Sequence, residues 1–236
     1  MIEIDDLEIS LGVGHKLKTE SFEISSGLWA LIGRNGSGKS SFLNAVLQNK
    51  SHSKGNIALK GISVENWNAN ALAKEIAVVY TKPTIFGNYT VKEVIELGRI
   101  PHTSAFGKLT AADFAVCEKA VNTLKISHLV SKKFSVLSDG EKQLVMIARA
   151  LAQETSVIIL DEPTAFLDVV NRSEIIKVLK EVSVNHNKTI LFSTHDVALI
   201  PSLCEGLLWI DNNVLKASIA KHEFKSIIDK IFISEI

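Results

Sequence analysis

The chain has 236 residues, enough for one sizeable domain or two tightly joined lobes, and 46% hydrophobic with 22% charged residues is ordinary globular usage. Its 26 basic and 26 acidic residues cancel, which argues against a protein held on nucleic acid by bulk positive charge. No stretch approaches the ~20 apolar residues that span a bilayer, so we expect any membrane role to act through a partner. The isolated Cys117 and Cys204 fit a reducing compartment, and the acidic, alternating residues 1–10 are not typical of a signal peptide.

In the first part of the chain, the pattern of apolar residues predicts strands and a helix around a glycine-rich turn. Apolar residues alternate from Ile2 to Leu11, which is typical of an edge strand. The apolar run Leu28 to Ile32 predicts a second strand, and a helical pattern from Lys39 to Gln48 follows the turn. The run Ile76 to Tyr80 predicts a further strand.

The middle, residues 85–155, is predicted to be mostly helical. Capping boxes, in which a hydroxyl residue and an acid three positions later satisfy free N–H groups, mark three helix starts. Gly98 is placed to end the first of these helices, and the third is predicted over Glu141 to Gln153. The three pairs are Thr90 with Glu93, Thr110 with Asp113, and Ser138 with Glu141.

The last part returns to alternating strands and helices. Val157 to Leu160 and Thr189 to Ser193 predict strands, with a helix near Ser173 to Val184 between them. Apolar residues of the tail 216–236 suggest a closing helix. Bare apolar strands alternating with helices predict an α/β fold with a buried, mostly parallel sheet, into which the helical middle is inserted.

The strongest motif is a glycine-rich loop between a strand and a helix, a pattern that cradles phosphates through backbone N–H groups and a helix N-terminus. In this pattern Lys39 bridges the β- and γ-phosphates, and the Ser40 hydroxyl holds Mg²⁺. A glycine turn that only caps a helix is the alternative. The candidate nucleotide-binding residues are Gly33, Arg34, Asn35, Gly36, Ser37, Gly38, Lys39, Ser40 and Ser41.

A second motif ends the strand Val157 to Leu160 with two carboxylates, Asp161 and Glu162. Ligands of open α/β sheets bind at the carboxyl ends of strands. We expect Asp161 to bind Mg²⁺ through water and Glu162 to polarise the attacking water. Alone the motif is weak, because many strands end in acids that face solvent.

A third motif runs from Leu137 to Glu141. Its structural interpretation is a capping box for the following helix, whose tip also offers N–H groups to a phosphate. The order of these motifs, followed by Asp168 and His195, resembles the ABC ATPase family over nearly the whole chain. The resemblance implies a P-loop NTPase with a RecA-like core (residues 1–84 and 156–236), an antiparallel β edge and an α-helical subdomain (residues 85–155).

The same resemblance implies how the site is completed. Two copies of the chain would enclose ATP and Mg²⁺ head to tail, with Ser138 and Gly140 of one copy on the γ-phosphate held by Lys39 of the other. Residues Ala165 to Asp168 would form the loop along the dimer seam, and His195 would contact the γ-phosphate. A lone histidine after a strand is otherwise more often structural.

A narrower resemblance lies in Thr90 to His102, which contains Leu-Gly-Arg-Ile-Pro-His. It is similar to the ATP subunits of importers for iron-siderophore complexes, haem and vitamin B12. This implies an integral membrane permease, a periplasmic or surface substrate-binding protein, and a place at the cytoplasmic face of the membrane. The plain alternative is a short amphipathic helix followed by a proline turn.

Three positions depart from the family pattern. Thr81 stands where a glutamine is usual. Its side chain is shorter than that of glutamine, so as a metal ligand it would reach Mg²⁺ through an intervening water. Leu11, with His15 nearby, stands where an aromatic residue usually stacks on adenine, so base selectivity is expected to be loose. Asp139 replaces a glycine and either slows closure of the dimer or turns outward to solvent.

Two other functions remain open from the sequence. A soluble ABC ATPase, for example in iron–sulfur cluster assembly, would share every motif except the Leu-Gly-Arg-Ile-Pro-His segment. An export ATPase is disfavoured because no fused membrane domain is present. A binding module without catalysis is least favoured, because both carboxylates and the histidine are in place.

Overall fold

The strands of the chain form where apolar residues run together or alternate with polar ones. The structure is a computed structural model in which the chain divides into two compact units. It describes residues 1–12, 14–48, 52–81, 85, 87–104, 107–165 and 167–232. The first unit joins residues 1–68 with 179–236, and the second holds residues 69–178.

The elements are numbered in chain order. The strands are β1 Ile2–Gly12, β2 His15–Thr19, β3 Phe22–Ile24, β4 Gly27–Ile32, β5 His52–Leu59, β6 Ile62–Ser63, β7 Ile76–Val79, β8 Val157–Leu160, β9 Thr189–Ser193, β10 Gly206–Asp211 and β11 Val214–Ser218. The helices are α1 Lys39–Val46, α2 Ala69–Ala73, α3 Val91–Glu96, α4 Ala111–Thr123, α5 Asp139–Ala152, α6 Val169–Asn185, α7 Ile200–Leu203 and α8 Lys221–Phe232.

The first unit combines parallel and antiparallel strand pairs. Strand β4 lies between β9 and β10 and is parallel to both, and all six of its residues are buried. Strand β1 pairs antiparallel with β2, β3 and β5. The prediction that β1 is an edge strand was therefore wrong: its alternation reflects one buried face rather than a free edge.

The second unit pairs β7 with β8 in parallel, in register from Ile76 opposite Val157 to Val79 opposite Leu160. Between these strands, the described residues form helices and no strand, as the sequence predicted. All three predicted capping boxes are present, at the starts of α3, α4 and α5. Helix α5 contacts both α3 and α4, and its Ile147 and Ala148 are buried.

The first of these helices ends just before Gly98, as predicted, but Gly98 does not act as a left-handed cap. Helix α3 ends at Glu96, and a 3₁₀ turn over Leu97–His102 follows without a left-handed residue. A Cβ atom on Gly98 would lie 2.3 Å from the carbonyl oxygen of Arg149, so glycine is required by close packing against α5. The sequence pattern could not distinguish this from a helix stop.

Two further predicted helices are present in the structure, one of them with an earlier start. Helix α6 begins at Val169, four residues before the predicted start at Ser173. The predicted closing helix exists as α8 and buries Phe224, Ile228 and Ile231. Among the described residues, no helix has the length and apolar content to cross a membrane.

Candidate functional site

The glycine-rich loop leaves the buried carboxyl end of β4 and enters α1. The Ser37 amide donates to the Arg34 carbonyl (3.2 Å), and the Phe42 amide donates to the Gly38 carbonyl (2.9 Å), so a tight turn feeds directly into the helix. Gly38 is in the left-handed region (φ 108°), where residues with a Cβ are strained. Helix α1 is anchored in the core by Phe42 and Val46.

Lys39 is the first residue of α1 and is 6% exposed. Its Nζ donates to the carbonyl oxygens of Gly33 (2.9 Å) and Arg34 (3.3 Å). The ammonium group therefore lies over its own loop, and burial of a cation in this place is costly unless acceptors surround it. A bound triphosphate would supply such acceptors as anionic oxygens.

Two observations test whether an anion fits this loop. The Ser37 hydroxyl is buried and has no hydrogen-bond partner among the described residues, so a phosphate oxygen would satisfy it. A Cβ on Gly33 would lie 2.7 Å from that hydroxyl oxygen, so the loop is too narrow at this point for a side chain, as the glycine of the motif implies. Together with the α1 N-terminus at Ser40 and Ser41, these groups fit a phosphate and its metal ion.

Leu11 reaches this loop because of a β-bulge. In the pairing of β1 with β2, Ser10 faces Lys16 and Gly12 faces His15, so Leu11 is the extra residue. A Cβ on Gly38 would lie 3.0 Å from Leu11 Cδ2. Leu11 therefore lies beside the loop, whereas His15 is exposed, and the expectation that residue 11 faces the base stays a prediction.

Arg34 connects the loop to the C-terminal helix. Its Nε donates to the carbonyl oxygen of Ile231, near the end of α8 (3.3 Å). No local pattern in the sequence indicates this contact, because the two residues are 197 positions apart in the chain.

His195 also belongs to the first unit and follows β9. Strand β9 is parallel to β4 up to Ser193 opposite Leu31, and the Thr194 amide donates to the Leu31 carbonyl (3.1 Å). His195 thus stands at the same end of the sheet as the glycine-rich loop, and it is exposed. This placement agrees with a role at the γ-phosphate.

Asp161 and Glu162 lie in the second unit, directly after β8. The Asp161 amide extends the ladder by donating to the Val79 carbonyl (2.9 Å), and Thr81 Oγ1 donates to the Asp161 carbonyl (2.8 Å). Glu162 has a left-handed backbone (φ 48°), which is unusual for a residue with a side chain. Both carboxylates are half-buried.

The start of α5 carries the third motif. Ser138 caps the helix: its Oγ accepts from the Glu141 amide (3.3 Å), while the Ser138 amide donates to Glu141 Oε2 (2.8 Å). The hydrogen bonds that the Ser138 amide and the Ser138 hydroxyl (2.9 Å) donate to Glu141 Oε2 lower the pKa of the Glu141 carboxyl group. Asp139 is 69% exposed in its side chain and pairs with Lys142 (3.6 Å), so its carboxylate is turned outward in this chain.

Asp168 caps the next helix, α6. Its Oδ1 accepts from the Asn171 amide (2.8 Å) and its Oδ2 from Asn171 Nδ2 (2.9 Å). The same Asn171 side chain lies 3.7 Å from the position that a Cβ on Gly140 would take. Within the second unit, the α5 tip and the loop before α6 are therefore neighbours; Phe166 of that loop lies outside the described residues.

The Leu-Gly-Arg-Ile-Pro-His segment holds the other end of α5. Arg99 is 6% exposed and donates to Asp113 Oδ1 (2.9 Å), the Ala152 carbonyl (2.7 Å) and Glu154 Oε2 (2.7 Å). His102 Nε2 lies 2.9 Å from the Gln153 carbonyl. Cations at a helix C-terminus are favourable, so part of this string serves to fix α5.

The comparisons with known proteins agree with this geometry. The family of ABC transporters matches residues 17–165, more than half of the chain. An uncharacterised ABC transporter ATP-binding protein of Methanocaldococcus jannaschii is 36% identical over 208 residues, covering 87% of this chain and 72% of that protein. The iron(3+)-hydroxamate import ATP-binding protein of Bacillus subtilis is 32% identical over 193 residues, covering 80% and 72%. Among solved structures, a subunit of the Clostridium perfringens cbiONQ transporter complex superposes with a TM-score of 0.84 at 27% identity, covering 99% and 95%.

Proposed function

Because the chain belongs to the ABC transporter family, we propose that it is the ATP-hydrolysing subunit of an importer for an iron-siderophore, haem or cobalamin type of cargo. Its fold is the ABC ATPase cassette, and proteins of this family bind and hydrolyse ATP. The observation that carries the nucleotide site is the buried Lys39 lying over a narrow loop whose Ser37 hydroxyl lacks a partner in the described chain. The import function is supported by the name of the Bacillus relative and by the Leu97–His102 string.

In the proposed reaction, the oxygen of a water molecule bonds to the γ-phosphorus of ATP. The bond from the γ-phosphorus to its bridging oxygen breaks, and ADP leaves with the electron pair. Glu162 orients the water or accepts its proton, and Lys39 neutralises charge on the β- and γ-phosphates. His195 donates a hydrogen bond to the transferred phosphoryl group.

Mg²⁺ would be held by Ser40 and, through water, by Asp161, and it would neutralise charge on the phosphate oxygens. The loop provides the hydroxyl and α1 N-terminus that such an ion–phosphate pair requires. The remaining donors would come from a second copy of the chain, through Ser138 and Gly140 of the partner subunit. The two copies would form a head-to-tail dimer.

The importer would also contain an integral membrane permease and a periplasmic or surface substrate-binding protein. We place this chain at the cytoplasmic face of the membrane, bound to the permease. The relative from Clostridium is itself part of a multi-subunit transporter complex, which supports this arrangement.

The nucleotide site is tested with two variants of the purified protein. Lys39→Ala is expected to weaken ATP binding by at least about tenfold, because it removes the cation of the phosphate site. Glu162→Gln is expected to keep ATP binding, to form an ATP-dependent dimer and to lose nearly all hydrolysis. Lys225→Ala, on the exposed face of α8, is the matched control. Parental turnover by Glu162→Gln would refute the catalytic assignment.

The import function is tested in cells that lack the chain. We expect uptake of radiolabelled iron-siderophore, haem or cobalamin to be lost, and to be restored by the parent chain but not by Glu162→Gln. If all three uptake activities persist without the chain, the import proposal fails and the soluble ABC ATPase becomes the better explanation.

A further inference from the structure

Thr81 stands where the family pattern has a glutamine, and its hydroxyl has a defined partner. Oγ1 donates a 2.8 Å hydrogen bond to the main-chain carbonyl oxygen of Asp161. Thr81 is the second residue after β7, and Asp161 is the first after β8, so this bond ties together the chain just beyond the ends of two paired strands.

The bond lies next to a strained position. Glu162, one residue after Asp161, has φ 48° although it is not glycine. Such a conformation persists only where the surrounding structure holds it, and it is often found at functional sites. Three hydrogen bonds contribute to holding it: the Asp161 amide donates to the Val79 carbonyl (2.9 Å), the Thr81 hydroxyl to the Asp161 carbonyl, and the Ala165 amide to the Glu162 carbonyl (3.0 Å).

We propose that Thr81 is a positioning residue: its hydroxyl fixes the peptide between Asp161 and Glu162 and thereby aims the Glu162 carboxylate. This inference rests on the proposed function, in which Glu162 acts on the attacking water. The Glu162 carboxylate is attached to a backbone that the Thr81 hydrogen bond holds on its N-terminal side, at the Asp161 carbonyl.

The competing role for Thr81 is that of a metal ligand in place of glutamine. The two roles differ in what they make sensitive to mutation. A ligand changes the Mg²⁺ concentration needed for half-maximal activity, whereas a positioning residue changes kcat and leaves Mg²⁺ and ATP affinities unchanged.

The test uses Thr81→Val, which keeps the shape of the side chain and removes the hydroxyl. Thr81→Ser keeps the hydroxyl and should retain activity. Thr155→Val is the matched control, because the Thr155 hydroxyl makes the same kind of bond, 2.8 Å to the Val157 carbonyl, at the opposite end of β8. Both valine variants lose one threonine-to-backbone hydrogen bond.

We expect Thr81→Val to lower kcat by about tenfold, the factor that one ordinary hydrogen bond supplies. The KM for ATP and the half-saturating Mg²⁺ concentration should stay within about twofold of the parent. Thr155→Val should lower Tm and leave kcat unchanged. In the Glu162→Gln background, Thr81→Val should reduce the residual rate no further, because the two residues act through one group.

A second readout does not depend on turnover. Hydrogen–deuterium exchange of the nucleotide-free protein should be faster in the peptide that contains residues 161–165 in Thr81→Val, and unchanged there in Thr155→Val. Calorimetric titration of Thr81→Val with ATP and Mg²⁺ should give parental affinity. Weaker Mg²⁺-dependent binding would establish the ligand role and overturn this inference.

The failure of this inference and the failure of the proposed function give different results. If Glu162→Gln hydrolyses ATP at the parental rate, the catalytic assignment fails whatever Thr81 does. If Glu162→Gln is inactive while Thr81→Val keeps the parental kcat, only the positioning role of Thr81 is overturned.

Discussion

At the scale of single residues, Leu11 shows how one extra strand residue changes the chemistry of a site. The bulge in β1 brings its side chain beside Gly38 and Leu17, next to the glycine-rich loop. An aliphatic side chain offers the base dispersion contacts but no aromatic stacking. This is the physical basis for the loose base selectivity expected from the sequence.

Leu11→Tyr is therefore expected to tighten ATP binding. Stacking on an aromatic ring contributes roughly 0.5–1.5 kcal/mol beyond burial, which corresponds to about a 2- to 10-fold lower Kd. Fluorescence titration with ATP and GTP measures the change, and Leu11→Met, which stays aliphatic, is the control. An unchanged ATP affinity in Leu11→Tyr would show that residue 11 does not face the base.

At the scale of elements, helix α5 is held at both ends and at its side. The capping box of Ser138 fixes its start, and Arg99 with His102 fixes its end. Along its length, Arg149 Nη2 donates to the Val78 carbonyl on β7 (3.0 Å), and burial lowers the pKa of this guanidinium group. The helix that carries the third motif is thus coupled to the strand that leads to Thr81.

The Arg99–Asp113 pair makes this arrangement sensitive to acid. Hydrogen bonds from the Thr110 amide, from the Thr110 hydroxyl and from Arg99 lower the pKa of Asp113 from 3.8 to about 2. A carboxyl group with a lowered folded-state pKa contributes stability above its unfolded pKa, and this contribution is lost as pH falls through the folded value. The window for this loss therefore extends from pH 3.8 down to about 2.

Asp113→Asn is expected to lower Tm at pH 7, because it removes one of the two carboxylates that pair with the buried Arg99 and leaves only Glu154. The Tm difference from the parent should shrink as pH is lowered through this window. The parent carboxyl group then becomes neutral, like the asparagine side chain of the variant. Thermal denaturation from pH 7 to the lowest pH with a measurable transition checks this. Glu118→Gln removes a charge from the exposed side of the same helix and is the control; a constant Asp113→Asn difference at all pH values would contradict the prediction.

At the scale of the whole molecule, the proposed dimer would bring Ser138 of one copy to the glycine-rich loop of the other. The glycine-rich loop and His195 belong to one compact unit of the chain, whereas Asp161, Glu162, Ser138 and Asp168 belong to the other. The predicted division into a RecA-like core (residues 1–84 and 156–236) and a helical subdomain (residues 85–155) stays a prediction. Burial raises the pKa of Cys117 to about 11 and that of Cys204 to about 12, so both thiols are protonated at neutral pH.

Mixing two inactive variants tests the head-to-tail dimer. Lys39→Ala lacks the phosphate cation, and Ser138→Arg blocks the surface offered to the partner, so neither homodimer should hydrolyse ATP. A random mixture should recover about one quarter of the parental rate, because half of the dimers are mixed and each of these holds one complete site. ATPase measurement of a 1:1 mixture checks this, and a mixture as inactive as its components would contradict a site shared between two copies.

The sequence by itself determined the local features: the strand–loop–helix of the phosphate site, three capping boxes, the parallel strands and the carboxylates after β8. These depend on neighbours within a few residues, so composition and spacing predict them. The tertiary structure alone decided that β1 lies inside its sheet, that Gly98 packs against Arg149, that Arg34 bonds to α8 and that the Thr81 hydroxyl binds the Asp161 carbonyl. Each of these features joins residues far apart in the chain, and only the folded packing determines which atoms meet.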